Sequence, residues 1–185
     1  FGVDTSRQRI DSVHIRSNMR RLGRICIFSQ SIHNFLVNLK RQRRAIFETI
    51  EQELIDRYLT EKALGCFSLV KPSESAGTLE EVSRDLFSLV ERFRRNKQVI
   101  SLSTFGALLR VLKDQCDVSE TGEMTVKAPK EIASSSLQNP SDPDAGYDAH
   151  KGQGYQVQVM ETYCASSDES IREKTLNLIT HVEIE

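Results

Sequence analysis

Hydrophobic residues alternate with polar ones near both ends of the chain. The first alternating stretch runs from Arg9 to Ile15, and its β-branched residues favour a strand. Two more alternating stretches, Tyr155–Cys164 and Thr175–Glu185, are separated by a short polar segment typical of a turn, which predicts a β-hairpin. We therefore expect a sheet of about three strands that combines the beginning and the end of the chain.

The middle of the chain shows helical periodicity instead. Apolar residues recur at spacings of three and four through about four segments, which predicts helices with one buried face. Ser17 is expected to cap the first helix, and Thr78 to cap the third through a capping box with Glu81. The stretch from Asp117 to Gly154 is rich in Ser, Pro, Gly and Asp and is expected to be mostly loop.

These patterns predict an α/β (α+β) chain in which a helical insertion follows the first strand. We assign residues 1–16 to the first strand, 17–116 to the helical insertion, 117–154 to the loop and 155–185 to the last two strands. The first residue is not Met, and a sheet of three strands with an open edge is thin for a complete domain. The chain is therefore expected to be an internal fragment of a longer protein.

Charge is distributed unevenly along the chain. The overall net charge is −1, but between Arg7 and Arg44 there are ten Lys and Arg residues and a single acidic residue, Asp11. From residue 45 onward, 15 basic residues face 24 acidic ones. A basic segment of this kind suits a polyanionic partner, and a solvated helix face is the structural alternative.

Several functional classes lack support in the sequence. No apolar run approaches the length of about 18 residues that a membrane helix needs, and no secretory signal is present at the start, so we expect a cytoplasmic protein. The four cysteines are 40 or more residues apart and are expected to be reduced thiols. No P-loop, G-x-S-x-G or H-E-x-x-H motif is present.

Asp11 is the candidate catalytic and metal-binding residue. On a strand it shares one face with Val13 and Ile15, where a carboxylate is costly to bury unless a positive group lies against it. A metal ion would satisfy this requirement, and so would a salt bridge with Arg9 or Arg16.

Two motifs connect this residue to a known family. D-S-x-x-I-x-S-N begins at Asp11, and D-P-D-A at 142–145 is followed by H-K-G-x-G-Y-x-V-Q at 150–158. Together they resemble the transposases of bacterial insertion sequences that have an RNase H-like DDE catalytic domain. The resemblance implies a partial RNase H-like sheet interrupted by the helical insertion, and metal-dependent DNA strand cleavage and transfer. In that family three carboxylates bind two divalent ions, usually Mg²⁺, and Asp11 matches the first carboxylate.

The resemblance also implies what is missing and what the protein binds. The second Asp and the Glu of the triad have no counterpart in these 185 residues, so this chain alone is expected to be inactive. The implied partner is double-stranded DNA at the transposon ends, in the bacterial cytoplasm and without membrane attachment, and a homodimer of the full-length protein is compatible with this. The candidate phosphate contacts are Arg16, Arg20, Arg21, Lys40, Arg41 and Lys151.

A second hypothesis remains open. The chain would then be a non-catalytic helical module that binds nucleic acid or protein, with Asp11 as an ordinary salt-bridge partner. The two hypotheses differ in whether strand cleavage depends on Asp11.

Overall fold

The computed structural model describes residues 5–17, 22–60, 65, 67, 69–148 and 150–184. Its helices and strands form a mixed α/β chain with a small antiparallel sheet, as predicted in outline. The chain divides into two compact units, which we call the sheet unit (Phe1–Asn18 with Tyr147–Glu185) and the helical unit (Met19–Gly146).

The elements follow one another in this order: β1 (Gln8–Arg16), α1 (Arg24–Gln42), α2 (Arg44–Phe47), α3 (Gln52–Leu59), α4 (Ser75–Phe93), α5 (Lys97–Ile100), α6 (Ser103–Gln115), β2 (Cys116–Val118), β3 (Met124–Val126), a 3₁₀ turn (Pro129–Glu131), β4 (Gly146–Asp148), β5 (Gly152–Thr162), α7 (Glu169–Lys174) and β6 (Ile179–Ile184).

β5 is the centre of the main sheet. β1 pairs with it in antiparallel orientation along its length, with Arg16 opposite Gly154. β6 is also antiparallel to β5, and the short β4 pairs with β5 as well. The three predicted strands therefore lie in one sheet and the last two pair as a hairpin, which confirms both expectations.

Short elements account for two differences from the prediction. The expected loop contains the hairpin of β2 and β3, whose strands have three residues each, too few for alternation to be recognised. The expected turn between the last two strands contains α7. Asp168 caps this helix, since its side chain accepts a hydrogen bond from the backbone N–H of Ser170 at 2.9 Å.

The predicted cap at Thr78 is wrong. α4 begins at Ser75, so Thr78 lies inside the first turn. Its hydroxyl donates to the carbonyl of Glu74 at 3.0 Å, the back-bonded geometry that Thr adopts within helices. A capping motif in sequence does not exclude an earlier start of the helix.

Ser17 does not cap the first helix either. α1 begins at Arg24, with Gly23 at its N-cap position. The backbone N–H of Ser17 donates instead to the carbonyl of Gln153 at 3.0 Å, which continues the pairing of β1 with β5. The first strand therefore extends one residue further than its alternation indicated, to Arg16.

The helical unit has its own hydrophobic core. The predicted apolar faces of α1, α4 and α6 are buried, and Phe35 of α1 lies 5.9 Å from Phe93 and 6.0 Å from Phe105 between ring centroids. Burial of each such side chain contributes about 1.5–3 kcal/mol. In the part of the chain that the structure describes, no helix combines the length and the apolar character needed to cross a membrane.

Candidate metal and nucleic-acid site

Asp11 lies in the interior of β1, on the sheet that contains both late strands. It is directly opposite Val159 of β5, and Val159 is in turn opposite Val182 of β6. Because side chains alternate along a strand without a bulge, Asp11 shares its face with Val13 and Ile15. The strand thus holds the carboxylate on the apolar face of the sheet, as expected from the sequence.

On this face the β1 side chains are exposed, whereas Val157 of β5, which lies opposite Val13, is buried. Asp11 is exposed, and its apolar neighbours Val13, Ile15 and Val182 retain 49%, 51% and 52% of their exposure. One Asp11 oxygen, Oδ1, accepts a hydrogen bond from the backbone N–H of Ser12 at 2.9 Å. Because Asp11 is exposed, its carboxylate keeps its contact with water, so burial does not by itself require a positive group beside it.

Arg9 does not form the predicted alternative salt bridge with Asp11. Its Nε donates to Oε1 of Glu161 across the sheet at 2.6 Å, and its guanidinium lies 5.6 Å from the ring centroid of Tyr163. Among the residues that the structure describes, Asp11 forms no ion pair. Its carboxylate therefore keeps coordination capacity for a cation from outside the sheet.

The described residues do not hold a metal ion by themselves. Within the described ranges, no group of three or more His, Cys, Asp or Glu side chains is arranged to bind one. Glu161 lies diagonally across from Asp11 on the same face, but Arg9 already pairs with it. Mg²⁺ is usually bound by one or two carboxylates together with waters and substrate phosphates, so Asp11 fits as one ligand of a larger site.

Two of the predicted DNA contacts, Arg16 and Lys151, lie at one end of the sheet. Arg16 is opposite Gly154, close to the start of β5, and Lys151 directly precedes that strand. Both are exposed. Arg16 is on the face opposite Asp11 and about 17 Å further along the strand, so the two side chains face different regions.

Lys40 and Arg41 lie in the last turn of α1, in the helical unit, and both are exposed. Cations at this position interact favourably with the helix dipole. The Nζ of Lys40 also lies 5.7 Å from the ring centroid of Phe47, within cation–π distance. Both residues therefore have a structural role that does not depend on DNA. Arg20 and Arg21 lie outside the described residues.

Some arginines of the basic segment form ion pairs or hydrogen bonds with other residues of the protein. Arg44 pairs with Glu48 at 2.9 Å. The Nε of Arg24 donates to the side-chain oxygen of Gln115 at 2.8 Å, in the interior of the helical unit. The count of positive charges in sequence thus overstates the charge available to a polyanion.

The sequence-based reasoning missed the role of Gly154, which belongs to the H-K-G-x-G-Y motif. A Cβ atom at this position would collide with the carbonyl oxygen of Ile15 and lie 2.8 Å from Nε2 of His14. That Nε2 atom is buried and has no hydrogen-bond partner among the described residues. A glycine inside a strand pattern often marks such a close backbone approach, and this signal was present in the sequence.

Comparison with known proteins adds no family assignment. No protein-family model, curated protein or solved structure matches the chain. The proposal that follows therefore depends on the two motifs and on the geometry of the sheet.

Proposed function

We propose that this chain is part of a DDE transposase, which cleaves and transfers DNA strands during transposition. The observation that carries the proposal is the pairing of β1 with β5. β1 contains the start of the D-S-x-x-I-x-S-N motif, and β5 contains the end of the H-K-G-x-G-Y-x-V-Q motif. Two motifs that are far apart in sequence and resemble one family thus lie on paired strands, which supports the proposal that they belong to one RNase H-like sheet.

The proposed role of Asp11 is to bind one Mg²⁺ ion as the first of three carboxylates. A hard cation prefers carboxylate oxygen, and a position in the interior of β1 restricts the movement of the Asp11 carboxylate. The exposure of Asp11 supports this role, because the phosphodiester of a DNA strand must reach the same ion. A divalent ion bound there would supply Lewis-acid activation of the phosphoryl group. The other two carboxylates would come from a part of the protein beyond these residues.

The proposed DNA contacts are Arg16 and Lys151 in the sheet unit and, as a separate group, Lys40 and Arg41 in the helical unit. Their exposure supports phosphate contact, since a guanidinium or ammonium group must be accessible to bind a DNA backbone. Arg20 and Arg21, which lie outside the described residues, are proposed as further DNA contacts from the sequence alone. The location that follows is the bacterial cytoplasm, and a homodimer of the full-length protein remains part of the proposal.

We expect the affinity for duplex DNA to fall steeply with salt concentration. Each phosphate contact adds about 0.9 to the slope of log K against log salt concentration, so Arg20→Ala/Arg21→Ala is expected to reduce that slope by about 2. Fluorescence anisotropy with a labelled duplex at several salt concentrations measures it. The double variant Arg94→Ala/Arg95→Ala is the charge-matched control and is expected to keep the slope. Absence of binding at low salt, or an unchanged slope in the first variant, would reject this surface.

The second candidate, a non-catalytic interaction module, is favoured by one observation. Asp11 has no second free carboxylate beside it within the described residues, so nothing in this part of the chain requires a metal ion there. The helical unit, with its own core, would then be the main binding element. Substitution of Asp11 separates the two candidates, since only the transposase needs this carboxylate for cleavage.

A further inference from the structure

A pocket of about 440 Å³ lies within the helical unit, between the start of α1, the first half of α4 and β3. Its apolar lining includes Leu79, Met124 and Val126. Its charged lining residues are Arg24, Lys127, Arg84 and Glu80. The volume and the mixed lining are typical of sites for small organic ligands.

Arg24 is a partly buried cation without a counter-ion among the residues that the structure describes. Its Nε and Nη2 donate to the side-chain and backbone oxygens of Gln115 at 2.8 and 3.3 Å, both of them neutral acceptors. Among the described residues no carboxylate lies within 4.0 Å of its guanidinium. Burial lowers the pKa of Arg24 from its ordinary value, which reflects the cost of holding this charge away from water.

Cys116, which interacts electrostatically with Arg24, does not compensate for its charge. Burial raises the pKa of the Cys116 thiol to about 11, so the thiol is uncharged at neutral pH. No described acid therefore balances the charge of the partly buried Arg24, and an anion that enters the pocket would do so.

The other charged side chains of the pocket do not reverse its positive character. Arg84 pairs with Glu80 at 3.1 Å, so these two charges offset each other. The Nζ of Lys127 donates to the backbone carbonyl of Lys113 at 2.7 Å and lies 3.7 Å from Oδ1 of the exposed Asp117. An ion pair at that separation with an exposed carboxylate is weak, so Lys127 can still interact with a second anion.

We propose that this pocket binds a small amphipathic anion, an apolar group that carries a carboxylate or a phosphate. The anionic oxygens bind Arg24 and Lys127, and the apolar group packs against Leu79, Met124 and Val126. Charge-assisted hydrogen bonds in a partly desolvated site are stronger than those between neutral groups, so the anion is selected over a neutral molecule of the same shape. None of the residues proposed to contact DNA takes part, so this binding is independent of the proposed function.

Isothermal titration of the whole chain with three matched ligands tests the proposal. The ligands are 1-naphthyl phosphate, 1-naphthoate and the uncharged 1-naphthalenemethanol. We expect at least one anion to bind about tenfold or more tightly than the alcohol, which is the difference that one charged hydrogen bond makes. The anion that binds with the higher affinity identifies whether the pocket prefers a phosphate or a carboxylate group. If the alcohol binds as tightly as both anions, or if none of the three binds, the proposal is wrong.

Two variants localise the binding. Arg24→Gln is expected to lose about tenfold in affinity for the anion and to keep its affinity for the alcohol, because only the charged contact is removed. Met124→Glu keeps Arg24 but introduces a carboxylate into the pocket, and it is expected to abolish anion binding. It provides a second test of the pocket if Arg24→Gln does not fold. The control is Arg95→Gln, a change at an exposed arginine outside the pocket. Retention of full anion affinity by a folded Arg24→Gln or Met124→Glu variant would overturn the assignment.

Discussion

Replacement of Asp11 by Asn in the proposed full-length transposase is expected to reduce Mg²⁺-dependent DNA strand cleavage by about three orders of magnitude or more. Asn has nearly the same shape as Asp but lacks the charge that binds the cation. Because Asp11 is exposed and its described hydrogen bond is to the neighbouring Ser12 N–H, we expect the variant to fold with an unchanged melting temperature. Cleavage of an end-labelled duplex that carries a transposon end measures the effect.

Glu183→Gln is the matched control for this experiment. Glu183 is an exposed carboxylate of the same sheet, opposite Gln158 and therefore on the other face from Asp11. This variant is expected to cleave DNA as the unchanged protein does. Wild-type cleavage by Asp11→Asn would support the non-catalytic module instead.

The second large effect is expected for Gly154→Ala, which is predicted to destabilise the sheet unit by about 3 kcal/mol or more. The added methyl group would collide with the Ile15 carbonyl oxygen, and this oxygen belongs to the backbone of β1 and cannot move away without disturbing its pairing with β5. Hydrogen exchange of the backbone N–H groups of β1 and β5 measures the loss, with denaturant unfolding as a second measurement. Loss of this pairing would also displace Asp11.

Gly106→Ala provides a control with the opposite sign. Gly106 lies within α6, and a Cβ atom there meets no other atom within 4 Å. The substitution is expected to stabilise the helical unit by about 0.5–1 kcal/mol, because Ala loses less conformational freedom on folding than Gly. If both substitutions had the same small effect on stability, the close contact between β1 and β5 at Gly154 would not exist.

Periodicity was sufficient to predict the long elements. The strands β1, β5 and β6 and the buried faces of the long helices follow directly from spacings of two and of three to four. Periodicity identifies the apolar face of an element but not the element that covers it. Val13 and Ile15 thus indicated a buried environment for Asp11, whereas all three side chains are exposed.

Partners that are distant in sequence could not be predicted. A salt bridge between Arg9 and its neighbour Asp11 was one alternative, but Arg9 pairs with Glu161, which is 152 positions away and comes into contact only through the register of β1 and β5. Arg24 was counted with the basic segment, but packing of α1 places its guanidinium at Gln115. The number of charges can be counted in the sequence, but the tertiary structure determines which of them remain available to a ligand.

The most direct test of the central claim, that Asp11 binds a catalytic metal ion, is the metal dependence of Asp11→Cys in the proposed full-length transposase. A thiolate is a poor ligand for Mg²⁺ and binds transition-metal ions more readily. We predict that this variant is inactive with Mg²⁺ and recovers part of its strand cleavage with Mn²⁺. Wild-type cleavage with Mg²⁺, or a loss that Mn²⁺ does not relieve at all, would contradict the assignment of Asp11 as a metal ligand.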